Sequence, residues 1–174
     1  MKLIEPTIEF DRQIREYRRE FLDCGDPLEG ATRLKQFEDP QDWIEFLNKL
    51  KDPSTVPQGR VQLTQYMLVR EEDQKIVGMI NIRHNLNAYL ERYGGHIGAS
   101  IAPSERHKGY ATQILRMALS KCRGLGIDKV LITCNSDNEG SRRVILTNGG
   151  KYESVVYDSD EGEYVERYWI DLSE

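Results

Sequence analysis

The sequence predicts a mixed α/β (α+β) fold, with a central, mixed but largely antiparallel sheet and helices on both faces. Three observations lead there. Two hairpin patterns occupy Leu63–Arg83 and Tyr152–Leu172. Between them, a strand, a turn, a helix and a second strand run from Ile97 to Cys134. The helix is a crossover, which predicts one parallel strand pair around residues 97 and 130. Helical patterns also precede the first hairpin, so helices have to pack on the sheet from more than one side. The 174 residues fit a single domain, 1–174.

Each element follows from its own pattern. Leu3 and Ile4 suggest a short first strand. Thr7 to Leu22 reads as a charged amphipathic helix, with Ile8, Ile14, Tyr17, Phe21 and Leu22 as its buried stripe. Asp23-Cys-Gly-Asp-Pro27 breaks it. A second helix runs from about Pro40 to Leu50 on Trp43, Ile44, Phe46, Leu47 and Leu50. Asp52 to Gly59 is a loop too short to separate two domains. Leu63–Arg70 and Lys75–Arg83 are strands joined by the polar turn Glu71–Gln74. Asn85–Tyr93 reads as a loop containing a helical turn.

Ile97, Ala99 and Ile101 then alternate on one strand face, and Pro103 ends that strand. Ile114, Leu115, Ala118, Leu119 and Cys122 recur at helical spacing. Asp128–Cys134 is an apolar, β-rich strand. Asn138–Asn148 is a short helix closed by Gly149-Gly150. Tyr152–Tyr157 and Tyr164–Leu172 form the last hairpin around the acidic turn Asp158–Gly162, either covering the core or presenting an edge. The parallel strands around 97 and 130 are expected to splay, leaving a crevice of the kind that holds ligands in open α/β sheets.

Composition narrows the function. A net charge of −5 argues against sequence-independent nucleic-acid binding. No run approaches the roughly 18 apolar residues of a membrane span. The first residues lack the apolar stretch of a signal peptide, so a cytoplasmic protein is expected. Cys24, Cys122 and Cys134 are expected to be reduced and largely buried. His84, His96 and His107 show no zinc-type spacing, and no metal is expected.

The most informative segment is Gly98 to Thr112. Arg106-His-Lys-Gly109-Tyr-Ala111 is a basic turn between a strand and a helix. The first amides of a helix have no intrahelical partners, and the helix dipole adds positive potential there. Such a turn suits a phosphate or pyrophosphate, and Gly109 and Ala111 keep bulk away from it.

Arg106-x-x-Gly109-x-Ala111 resembles the Arg/Gln-x-x-Gly-x-Gly/Ala signature of the GNAT family of N-acetyltransferases. Asn138-x-x-Ser141 opening a helix, followed by Gly149-Gly150, resembles that family's next segment. Arg83-His-Asn-Leu-Asn87 and Gly94-Gly-His-Ile-Gly98 are similar to a bacterial branch of its acetyltransferases. The resemblance covers the chain from about Trp43 onward.

It implies a GNAT-like fold and direct acetyl transfer from acetyl-CoA, without a metal, to a primary amine of a small molecule, peptide or protein. Family members are often dimers, so a homodimer is a partner it allows. Cofactor contacts are expected from Ile101, Arg106, His107, Lys108, Gly109, Tyr110, Ala111 and Thr112, with the main-chain amides dominant. A solvated basic turn is the plainer account of Arg106 and Lys108. Asn138 and Ser141 are expected near the pantetheine arm, although Asn138 also suits a helix cap.

His96 is the leading proton acceptor, since a neutral imidazole has a reference pKa of about 6.5. A structural histidine bonded to neighbouring backbone is the alternative. Glu91 and His84 are further bases. Arg83, His84 and Asn87 are expected on the acceptor side, or as a solvated loop. Many relatives carry a Tyr four residues after Ser141. Here that residue is Ile145, which cannot donate a proton. The missing acid leaves a second reading, an acyl-CoA sensor that does not catalyse. A nucleotide-binding module is third, because the turn lacks a Walker ending.

Overall fold

The fold is built on two antiparallel sheets. The computed structural model describes residues 1–173. The first sheet has the order β1 (Lys2–Ile4), β2 (Leu63–Arg70), β3 (Lys75–Arg83), β4 (Ile97–Ile101). The second has β7 (Glu163–Asp171) between β5 (Lys129–Asn135) and β6 (Lys151–Asp158). The helices are α1 (Asp11–Cys24), α2 (Pro40–Lys51), α3 (Tyr110–Gly124) and α4 (Glu139–Thr147).

β2 and β3 are buried on both faces, which is why they read as near-continuous apolar runs. Leu68, Ile80 and Ile82 join Ile114, Leu115 and Ala118 of α3 in one core. Met67, Val69 and Met79 face the other way, onto Ile14, Tyr17 and Phe21 of α1 and Trp43 of α2. Helices therefore cover both faces of the first sheet. The predicted α1 stripe holds at Ile14, Tyr17 and Phe21. It fails at its ends: Ile8 and Leu22 are 49% and 45% exposed. Ile8 lies in a separate 3-10 turn, Ile8–Phe10, outside the helix frame. Cys122 and Cys134 are buried thiols, whereas Cys24 is exposed at the end of α1.

The expected parallel pair takes a different form. β4 and β5 are edge strands of separate sheets and share no ladder. They are joined at one place, where the His96 N–H donates to the Leu131 carbonyl at 2.8 Å. The turn before β4 explains the interruption. Residues Leu90–Gly94 form a π-helical turn, and Gly95 follows at φ 65°. A Cβ at Gly95 would stand 2.5 Å from the Leu131 oxygen, so only glycine permits this approach.

The segment between α1 and α2 is pressed onto β4. Gly30 sits at φ 68°, and a Cβ there would lie 2.5 Å from the Ala99 nitrogen. A buried polar network holds it. Gln65 Nε2 donates to the Gly30 carbonyl at 2.7 Å, Thr32 Oγ1 bonds Gln65 Oε1 at 2.5 Å, and Asn81 Nδ2 donates to Thr32 Oγ1 at 3.1 Å. Trp43 Nε1 adds a bond to the Thr32 carbonyl at 3.0 Å. Buried polar groups are tolerable when partnered in this way.

Among the described residues, no helix is long and apolar enough to cross a membrane.

Candidate functional site

The site is the crevice between the free edges of β4 and β5. In β4, the bonds from Arg83 N–H to the His96 carbonyl and from Ala102 N–H to the Val77 carbonyl set the antiparallel alternation. That alternation turns the main-chain groups of Ile97, Ala99 and Ile101 away from β3. In β5, Ser136 N–H donates to Tyr164 and Leu172 N–H to Asp128. The odd residues Leu131, Thr133 and Asn135 therefore present their main-chain groups to the open side. His96 takes both main-chain groups of Leu131, and the Ile101 carbonyl accepts from Arg106 Nε at 3.4 Å; the main-chain groups of Ala99 and Thr133 and the Asn135 N–H remain on the two free edges.

β4 leads into α3 through Pro103–Glu105 and a tight turn. Within that turn His107 and Gly109 both adopt left-handed conformations, φ 62° and 82°. Gly109 is the N-cap of α3 and supplies no side-chain cap, so the first-turn amides keep no internal acceptor. Nothing lies within 4 Å of where a Gly109 Cβ would stand, so the approach is open. The start of α4 differs. Asn138 Oδ1 accepts the Ser141 N–H at 2.9 Å, the cap that the residue type allowed. Asn148, at the end of α4, reaches the Thr112 carbonyl through Nδ2 at 3.3 Å and ties α4 to the first turn of α3.

The basic side chains of the turn are engaged with carboxylates. Arg106 pairs with Asp26 at 2.6 Å, and burial-opposed hydrogen bonding from Arg106 lowers the Asp26 pKa. Lys108 pairs with Glu105 at 2.9 Å. Glu105 also binds Arg70 and Lys75, each at 2.9 Å, and is only 4% exposed. Burial works against its charge, but the hydrogen bonds from Arg70, Lys75 and Lys108 prevail and hold its pKa at about 2. Tyr110 adds its hydroxyl to the Arg70 guanidinium at 3.3 Å. Ile101 is half-buried and packs on the α3 core.

The polar group expected on the acceptor side is drawn into the junction. Arg83 donates to the carbonyls of Gly94 and Gly95 at 3.0 and 2.9 Å. Thr133 Oγ1 takes the Tyr93 carbonyl at 2.8 Å, and Arg167 takes those of Glu91 and Arg92. Five successive carbonyls are thus held by side chains from β3, β5 and β7. His84 Nε2 bonds Thr64 Oγ1 at 2.8 Å, and burial, with Lys51 adding, lowers its pKa. Asn87 Oδ1 accepts the Leu90 N–H at 2.9 Å. Glu91 is exposed and makes no ion pair among the described residues.

His96 is half-buried, and its Nδ1 accepts the Leu131 N–H at 3.0 Å. Burial lowers its pKa; the Leu131 main chain opposes this and the Arg83 charge adds to it. Ile145 is 3% exposed within the core, so the position is a packing site. Among the described residues, no group of three or more His, Cys, Asp or Glu is arranged to hold a metal ion. Sequence reasoning missed the Glu105 hub, Gly30 and Arg167. Only the glycine carried a signal, as a break beside Asp26-Pro27.

A family model described as an acetyltransferase (GNAT) domain matches residues 24–151. A search among curated proteins found no match. The ribosomal-protein-S5-alanine acetyltransferase of Vibrio fischeri superposes with a TM-score of 0.73 at 16% identity, over 99% of this chain and 93% of its own. The spermidine N-acetyltransferase of Vibrio cholerae, solved with CoA and spermine, gives 0.66 at 17% identity, over 99% and 95%. The microcin C7 self-immunity acetyltransferase MccE, solved with acetyl-CoA and AMP, gives 0.65 at 15%, over 97% and 91%. At these identities the structural likeness establishes the fold.

Proposed function

The chain belongs to the GNAT family of acetyltransferases, and from that premise we propose that it is an acetyl-CoA-dependent N-acetyltransferase acting on a primary amine in the cytoplasm. One observation carries the reading. The uncapped, glycine-led start of α3 opens beside two strand edges that keep free main-chain groups at Ala99, Thr133 and Asn135. A pyrophosphate suits the first, and the amide-bearing pantetheine arm suits the second, by strand-like pairing. The residues present therefore fit CoA.

In this reading the amides of Lys108 to Thr112 hold the pyrophosphate. Main-chain groups of Ala99 and the Ile101 N–H on β4, and main-chain groups of Thr133 and the Asn135 N–H on β5, align the arm. Ser141 and Asn138 border it at the start of α4. Arg106 and Lys108 contribute positive potential while remaining tied to Asp26 and Glu105. Bound acetyl-CoA supplies an acetyl thioester to the attacking amine. The amine's proton goes to Glu91, directly or through water, because the one basic nitrogen of His96 is taken by Leu131. No aromatic acid stands at Ile145, so water entering the open crevice protonates the leaving sulfur.

Incubation with acetyl-CoA and a panel of polyamines, amino acids and peptides tests the reading. Acetylated amine and free CoA in equal amounts are expected. CoA binding without turnover would move the reading to a sensor, and neither binding nor product would end it.

A further inference from the structure

We propose that His96 is a positioning residue, a clip that fixes the root of the β4–β5 crevice and thereby sets CoA affinity. The proposal rests on the crevice being the CoA site. It starts from a reciprocal pair of bonds. The His96 main-chain N–H donates to the Leu131 carbonyl at 2.8 Å, and the Leu131 N–H donates to His96 Nδ1 at 3.0 Å. The residue just before β4 thus satisfies both main-chain groups of one residue of β5. A regular parallel ladder would send the Leu131 N–H to the carbonyl two residues before His96, that of Gly94. Here the imidazole replaces that carbonyl, which instead accepts from the Arg83 guanidinium at 3.0 Å.

The tautomer follows. A neutral imidazole has one donor and one acceptor nitrogen, and the bond made by one fixes the other. Nδ1 is the acceptor, so Nε2 carries the proton. The ring gains a second proton only by releasing Leu131. It is held in this state by its surroundings. Gly95 brings the turn against the Leu131 oxygen, and Arg83 fixes the carbonyls of Gly94 and Gly95. The charge that acts on the ring is Arg83 on β3, with Glu29 acting in turn on Arg83; Arg167 on β7 donates to the main-chain carbonyls of Glu91 and Arg92. Leu131 is the root from which the open edge Thr133–Asn135 extends. Losing one of its two clip bonds loosens that edge relative to β4.

Three readouts test this. In the unliganded protein near neutral pH, nitrogen NMR of the His96 ring is expected to show a bare Nδ1 and a protonated Nε2; a protonated Nδ1 would overturn the clip. Hydrogen exchange at the Leu131 amide is expected to speed up about tenfold in His96→Ala, the worth of one hydrogen bond. It should stay slow in His96→Asn, whose Oδ1 replaces Nδ1 as acceptor. Equal exchange in all three proteins would overturn it.

Finally, CoA affinity is measured from pH 8 downward. The wild type is expected to weaken as His96 gains its proton, and His96→Asn to lack that step. Groups away from position 96 and the CoA phosphates act on both proteins alike. Superimposable profiles would overturn the link to affinity. If the wild type binds no CoA at any pH, the acetyltransferase reading falls, while ring state and Leu131 exchange still decide the clip.

Discussion

The ammonium of Lys108 lies 2.9 Å from the buried carboxylate of Glu105, pointing back beneath the turn that leads into α3. Glu105 joins this turn to β2 through Arg70 and to β3 through Lys75. The carboxylate therefore braces the turn before α3 from below. Glu105→Gln is expected to destabilise the protein by about 2–3 kcal/mol, the low end for a broken buried pair because its partners are partly exposed. Urea unfolding measures it. The pH dependence has a definite sign. The folded pKa, about 2, lies below the ordinary 4.5. The contribution is complete above about pH 4.5 and is lost as pH falls toward about 2.

Gly109 separates binding from folding. Its φ of 82° costs an alanine about 1–2 kcal/mol, with no clash to add. Gly109→Ala should lower the melting temperature by only a few degrees. It should weaken CoA at least about tenfold by placing a methyl where the anion approaches. Calorimetric titration beside a thermal melt checks the split.

Ile145→Tyr restores the residue that many relatives carry. Ile145 is enclosed by the main core, and the ring has no room there. The substitution is expected to cost about 1–3 kcal/mol by overpacking and to leave kcat no higher. A rise in kcat would show that the position faces the reacting sulfur after all.

Glu91→Gln tests the proton route. As general base, Glu91 should account for about 10²-fold or more in kcat, with CoA affinity held. An unchanged kcat would assign the proton to water alone. Steady-state kinetics with a fixed amine decide between them.

The hairpin Leu63–Arg70 and Lys75–Arg83 was legible to the residue, because apolar runs bounded by a polar turn leave little choice. The turn at Gly109 was equally legible, being local chemistry within six residues. The junction was not. His96 meets Leu131 across thirty-five positions, and only the left-handed Gly95 allows it. Nor does any local pattern show that Glu105 is buried, since Arg70 and Lys75 come from other strands. Arg83 and Asn87 read as acceptor contacts because polar residues at a strand exit look alike. Their structural partners are main-chain groups of the turn that follows.

The most direct test is a titration of nitrogen-labelled protein with CoA, followed by amide NMR. The largest shifts are expected at Lys108–Thr112 on the start of α3 and at Thr133 and Asn135 on the open edge of β5. Saturable CoA binding that leaves both groups unmoved, or no binding at all, would contradict the assignment of the crevice.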